Sequence, residues 1–353
     1  MKEFQIQKNE SGQRLDKYLR KLLPNAGSGF LYRMLRKKNI TLNDGKAEGK
    51  EILREADAVK LFFSDETFAK FAGDSEASED AFEALRALPM EGLRVICEDA
   101  DILAMDKPVG MLSQKAKPDD VSANERMLGY LIRKGCLTRE EFDTFRPSVC
   151  NRLDRNTSGI LLAGKSLPGL QQLSRGLKDR SIQKYYQTIV LGEVSKQKTL
   201  AGYLIKDERM NTVRVLAESE EGNPLDTGLA KRDNIGCGRT QDGRSQGGDK
   251  DRQEGEVRAA RIETAYRPLS HNREYSLLEI HLITGKTHQI RAHLASIGHP
   301  ILGDPKYGDR SVNRKLGTSG QLLHAGRVVF PDGREIVCPP PEKFMRMKGR
   351  LSL

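Results

Sequence analysis

Apolar residues recur at helical spacing over 13–23, where Leu15, Tyr18, Leu19, Leu22 and Leu23 share one face. Pro24 and Gly27 end that helix, and Ser28 caps a second one whose stripe is Phe30, Leu31, Met34 and Leu35. Ile40, Thr41 and Leu42 then run as a strand into the turn Asn43-Asp44-Gly45, and 59–62 closes a small β element. From 93 onward, short apolar runs of strand length take over: 93–98, 101–107, 160–163, 184–192, 264–266, 275–282, 321–324 and 327–330. Helices are expected between them over 124–134, over 167–178 with Ser166 as cap, and from Thr287 onward, before Pro339-Pro340-Pro341 closes the domain. Two stretches lack such a pattern. Residues 64–92 read as a linker with one short helical turn, and 217–258, crowded with Gly, Asp, Arg, Ser and Gln, as a disordered insertion between two strands.

At 353 residues the chain can bury a sizeable core in two domains. It carries a formal charge of +10, unevenly spread: 1–63 hold 14 Lys/Arg against 8 Asp/Glu, whereas 64–92 hold 2 against 8. The basic module fits a polyanionic partner and the acidic stretch a spacer. The cations singled out are Arg14, Lys17, Arg33, Arg36, Lys37 and Lys38. Five scattered cysteines without a Cys-x-x-Cys pair argue against a disulfide framework and a zinc site. The N-terminus has no apolar core of a signal peptide, and no run approaches a membrane span. A soluble, cytoplasmic, monomeric protein with no membrane association is expected.

The chemistry concentrates at Asn151-Arg152-Leu153-Asp154-Arg155-Asn156-Thr157-Ser158-Gly159. One carboxylate stands between two arginines, which favour its anion, ahead of a turn and a core strand. Alone, such a motif reads more often as a salt-bridged surface turn than as a site. Gly159 to Ser166 also satisfies G-x-x-x-x-G-K-[ST]. A phosphate loop must follow an apolar strand, however, and here Ile160–Ala163 would itself be the strand. His288 and His293 are five apart, with no Glu beside His288, so a zinc-protease helix is not indicated.

The nine-residue stretch resembles the signature of the RluA-like family of large-subunit RNA pseudouridine synthases, His-Arg-Leu-Asp-x-x-Thr-Ser-Gly, with Asn151 in place of His. Further matches follow in order: Lys107-Pro108-Val109-Gly110, Lys184-Tyr185-Tyr186, Thr284 through His293, and Gly298 through Gly308. Residues 1–63 resemble an S4 RNA-binding domain. The resemblance implies an α+β fold, with an S4-like domain over 1–63 and a catalytic domain over 93–345; the acidic linker over 64–92, read from composition, lies between them. The catalytic domain would be built on a mixed, largely antiparallel sheet flanked by helices and loops. It implies isomerisation of specific uridines in RNA, first of all 23S ribosomal RNA, to pseudouridine without metal or organic cofactor. A transfer-RNA enzyme and a non-catalytic RNA-binding or ribosome-assembly factor are the alternatives. Carried over, Asp154 is the required carboxylate, acting as nucleophile or proton acceptor. Arg291 pairs with it and Tyr186 stacks on the target base. Arg152 and Arg155 grip RNA, Lys165 lines the pocket, and the N-terminal cations hold phosphates.

Overall fold

The computed structural model describes residues 1–73, 75–89, 91–207, 210, 212–217 and 259–353. These divide into two compact units. The first comprises 1–155, 159–182 and 330–338, and the second 156–158, 183–329 and 339–353.

The first unit begins with β1 (Lys2–Gln5), α1 (Leu15–Leu22), α2 (Ser28–Arg36), β2 (Ile40–Leu42), β3 (Gly45–Lys46) and β4 (Ala58–Leu61). The strands form an antiparallel sheet in the order β1-β4-β2-β3. The expected apolar stripes make its core, with Leu15, Tyr18, Leu19, Leu31 and Leu35 buried together with Ile40, Val59 and Leu61. Asn43 and Asp44 take φ of +50° and +60°, the left-handed pair that a two-residue hairpin requires. Gly27 rather than Ser28 holds the N-cap position of α2, a one-residue difference within ordinary end fraying.

The expected linker is instead helical: α3 (Asp65–Phe71) and α4 (Ser75–Ala87). Ser64 caps α3 by accepting from the Thr67 amide, and Asp65 and Glu66 sit where the helix dipole favours acid. The acidic stretch thus owes its charge to helix starts and solvent faces. Phe68 and Phe71 of α3 pack on the N-terminal core, and Phe82 of α4 is buried edge-on against Phe142, with ring centres 5.4 Å apart.

Further along come β5 (Arg94–Glu98), β6 (Ile102–Lys107), α5 (Ala123–Arg133), α6 (Arg139–Thr144), β7 (Ser148–Val149), β8 (Ser158–Gly164) and α7 (Leu167–Lys178). β6 and β7 each pair antiparallel with β8, and β5 with β6. Every residue of β8 is buried, so its amides belong to a sheet and cannot wrap a phosphate. Gly164 answers a packing need: a Cβ there would lie 2.5 Å from the Leu170 amide nitrogen of α7. Ser166 caps α7 through the Gly169 amide, as expected.

The second unit holds β9 (Gln183–Leu191), β10 (Lys198–Asp207), β11 (Thr212–Ala217), β12 (Ala260–His271), β13 (Tyr275–Leu282), α8 (Gln289–Ser296), α9 (Arg310–Leu316), β14 (Leu323–Val329) and α10 (Glu342–Arg350); β15 (Glu335–Val337) lies in the first unit. Its strands form a wholly antiparallel sheet in the order β11-β10-β12-β13-β9-β14. The two runs expected over 321–324 and 327–330 are one strand, β14, with a register shift between Ala325 and Arg327. α10 was not anticipated, because Lys and Arg dominate its sequence; it buries Phe344 and Met347 against Ile189, Tyr275 and Leu277. Apart from Ala217 at the end of β11, the expected insertion over 217–258, Cys237 included, lies outside the described residues. Among the described residues, no helix is long and apolar enough to cross a membrane. The fold is mixed α+β with antiparallel sheets, as the sequence predicts.

Candidate active site

Asp154 is half-buried in the segment that leads into β8, and the residues around it are pinned from several sides. The Asn151 side chain spans part of β8, donating to the Ile160 carbonyl (3.1 Å) and accepting from the Leu162 amide (2.7 Å). Ser113 Oγ donates to the Leu153 carbonyl (2.9 Å) and accepts from the Leu153 amide (3.0 Å). On the other flank, the Arg155 carbonyl accepts from the Gly110 amide (2.8 Å) and from Lys107 Nζ (3.2 Å). The aspartate therefore stands between two neighbours whose backbone is fixed.

Lys107 is wholly buried, and its ammonium also donates to the carbonyls of Pro108 (2.9 Å) and Met111 (2.8 Å). Burial pulls its pKa down to about 8, while the negative charges of Asp154 and Asp106 oppose that fall. Only the Lys-Pro-x-Gly segment marked this residue in the sequence, and no role was assigned to it. Ser113 gave no signal at all.

Arg152 and Arg155 are exposed, and Arg155 Nε donates to the Gly110 carbonyl (3.0 Å). Lys165 is a correction. It lies just past the far end of β8, a seven-residue strand roughly 20 Å long that begins beyond the Asp154 turn. Its Nζ is held by Glu98 (2.6 Å) and the Asp99 carbonyl (2.8 Å). Burial raises the Glu98 carboxyl, but Lys134, Lys165 and Tyr130 bind its anion and hold it at about 2. Lys165 is part of an ion-pair network and does not line the Asp154 site.

The turn 156–158 and the other two predicted residues belong to the second unit. There Gln321 donates to Thr157 Oγ1 (3.2 Å), and Ser158 Oγ meets His324 Nδ1 (2.9 Å), which accounts for the two hydroxyls of the motif. Tyr186 is buried on β9, in register with Ile280 and Ala325. Arg291 is buried on α8. The resemblance assigns it to Asp154; within the second unit its Nε and Nη2 bind Asp304 Oδ2 and Oδ1, at 2.7 and 2.8 Å. Asp304 also accepts from the Lys306 and Tyr307 amides. Burial drives its carboxyl up, but Arg291 and those amides hold it below the usual range. The Tyr307 ring lies 5.2 Å from the Arg291 guanidinium. Its hydroxyl accepts from the Val213 amide (2.8 Å) and meets His288 Nδ1 (3.1 Å). Asp304 and Tyr307 were missed as positioning groups, although the Gly-Asp and Tyr-Gly pairs of the turn-rich loop carry them.

Of the N-terminal cations, Lys17, Arg33, Arg36, Lys37 and Lys38 are exposed. Arg14 is different: its fork grips the buried Asp16 (3.0 and 3.1 Å), to which Tyr32 also donates (2.9 Å). Arg14 therefore serves the fold of the module.

In a mixed α+β fold, the half-buried carboxylate of Asp154 is thus held beside a buried cation, Lys107. Residues 101–296, more than half of the chain, match the family model described as RNA pseudouridylate synthase, and the chain belongs to that family. It is 26% identical over 350 residues to ribosomal large subunit pseudouridine synthase C of Vibrio cholerae, covering 98% of this chain and 92% of that protein. To the protein of the same name from Escherichia coli K12 it is 27% identical over 331 residues, covering 92% and 87%. A solved structure of human RNA pseudouridylate synthase domain containing 4 shares the fold, with a TM-score of 0.54 and 19% identity over 78% of this chain and 97% of that one. The chain is an RNA pseudouridine synthase.

Proposed function

We propose that this enzyme isomerises uridine in large-subunit ribosomal RNA, with Asp154 as the reacting carboxylate. In the reaction the N1–C1′ bond of uridine breaks, the uracil turns, and C5 bonds to C1′; the C5 proton is lost and N1 gains one. The observation that carries the assignment is the double clamp on Leu153 and Arg155, which holds Asp154 while leaving its side chain half-buried. Attack on C1′ and removal of a ribose proton both need such a carboxylate. Tyr186 stacks on the detached base. The target nucleotide must leave its helix or stacked loop to reach the carboxylate, and Arg152 grips the strand it leaves. The S4-like module over 1–63 presents Lys17, Arg33, Arg36, Lys37 and Lys38 to phosphates, positioning RNA without reading its sequence. Ribosomal RNA as substrate is supported by the names of the relatives from V. cholerae and E. coli; we place the enzyme in the cytoplasm, as a monomer.

Asp154→Asn tests the assignment. The variant should bind RNA as the parent does and form no pseudouridine; turnover that survives the change ends the role for Asp154. Mapping pseudouridines in total RNA, with and without the protein, identifies the substrate: sites lost from large-subunit RNA support the proposal, and sites lost from transfer RNA replace it.

A further inference from the structure

Successive strand residues point to opposite faces, so Tyr185 emerges on the side of the second unit's sheet away from Tyr186. On that side a row of residues crosses five strands, each in register with the next: Arg327, Tyr185, His281, Ala265 and Thr199. The first three form a stack. The Arg327 guanidinium lies 3.8 Å from the Tyr185 ring centre, and the His281 ring lies parallel to Tyr185 within 19°, centres 4.7 Å apart. Burial, with Lys184 and Arg327 nearby, lowers the His281 pKa and favours the neutral ring.

The stack then stops. Ala265 offers only a methyl group beyond His281, and a cavity of about 380 Å³ opens there. Two strand spacings separate β13 from β10, roughly 9.6 Å, which leaves room for one flat ring against the imidazole. Lys198 and Arg267 line the same cavity. Among the described lining residues the one carboxylate is Glu279, which is bound by Arg267 (2.7 Å) and Arg327 (3.4 Å). A planar aromatic face with cations beside it, and no unpaired acid among the described lining residues, matches a nucleobase and its phosphate.

We propose that this shelf seats an unpaired base of the bound RNA, distinct from the uridine undergoing reaction, with its phosphate beside Lys198 and Arg267. The inference rests on the reading of RNA as substrate and adds a second contact point on the opposite face of the sheet from Tyr186.

Two variants of the full-length chain test it. Ala265→Trp fills the seat, and Lys198→Glu reverses the charge at its edge. The probes are fluorescein-labelled oligouridine of about ten nucleotides, long enough for one such site, and a large-subunit ribosomal RNA transcript. Ala265→Trp should bind oligouridine about tenfold more weakly, the loss expected for one stacked base, and Lys198→Glu should also bind it more weakly, with a shallower salt dependence than the parent. Each should raise the half-saturating transcript concentration while leaving turnover at saturation unchanged. Variants that bind both probes as the parent does overturn the shelf, whatever the parent's catalytic activity. A parent that binds oligouridine in the seat but modifies no transcript leaves the shelf standing and removes the proposed activity. A parent that modifies the transcript alongside variants with unaltered half-saturation does the reverse. Lys198→Glu, at an exposed position, guards against misfolding of the tryptophan variant as the cause.

Discussion

The Arg291 guanidinium meets the Asp304 carboxylate through two parallel hydrogen bonds, and both residues are buried. Such a fork is rigid as well as strong. It ties α8 to the loop that follows, and Asp304 carries the tie onward through the Lys306 and Tyr307 amides. Removing one partner of a buried pair takes from the other its strongest restraint and its neutralising charge. Asp304→Ala should therefore cost about 3–5 kcal/mol of stability, read by urea unfolding. Pseudouridine formation should fall in the fraction that remains folded, because Arg291 loses its anchor. A loss below about 1 kcal/mol, the range of exposed ion pairs, would show that water replaces the carboxylate.

Ser113 offers a finer test of positioning. Its hydroxyl serves the amide and the carbonyl of Leu153, one residue before Asp154. Ser113→Ala leaves both backbone groups buried without that partner, a cost of about 1–3 kcal/mol. Turnover should drop by more than the stability change explains, on the order of 100-fold for a displacement near 1 Å. The informative readout is the split between kcat and KM: RNA binding should hold while kcat falls. Equal turnover in the two proteins would mean that Leu153 does not need the hydroxyl.

Lys107 gives a pH signature. Its folded pKa of about 8 lies below the ordinary 10.5. The unfolded chain therefore holds the proton more tightly between those values, and stability attributable to this group rises as pH climbs from about 8 to about 10.5. The full rise is on the order of 3 kcal/mol. Lys107→Met removes it. Unfolding free energies of the two proteins, measured across that window, should diverge in slope, with the parent gaining relative to the variant. Parallel curves would place the Lys107 pKa at its ordinary value.

Periodicity located most strands and helices because the apolar positions that signal them are the ones the fold buries, as in Leu15 to Leu35 of the first module and β6, β8, β9 and β13. It failed where burial is achieved by few residues. α4 has Phe82 in an otherwise acidic stretch, and α10 has Phe344 and Met347 among cations. The motif residues were legible as a set, but their partners were not. Ser113 and Asp304 act through bonds to residues 40 and 13 positions away, and no local pattern records such a pairing. Lys165 misled for the converse reason. It is near Asp154 in sequence, but an extended strand carries neighbours in sequence far apart in space.

Arg14 and the α2 arginines are the same residue type in one basic module, yet they should behave oppositely. Arg14 is bound by Asp16, whose carboxyl burial would raise, but which Tyr32 and Arg14 hold below its ordinary range. Arg14→Ala should weaken the module by about 1–2 kcal/mol, the worth of hydrogen bonds to a charged group, and leave the salt dependence of RNA binding alone. Arg33 and Arg36 are exposed in the last turn of α2, with the exposed Lys37 and Lys38 just beyond it. If the module holds phosphates, the double change Arg33→Ala, Arg36→Ala should weaken RNA binding and lower the slope of log K against log salt by about 2, one for each cation removed. Stability should stay near that of the parent, because neither side chain is buried. A salt slope that moves with Arg14 and not with the α2 pair would relocate the phosphate track to the other helix.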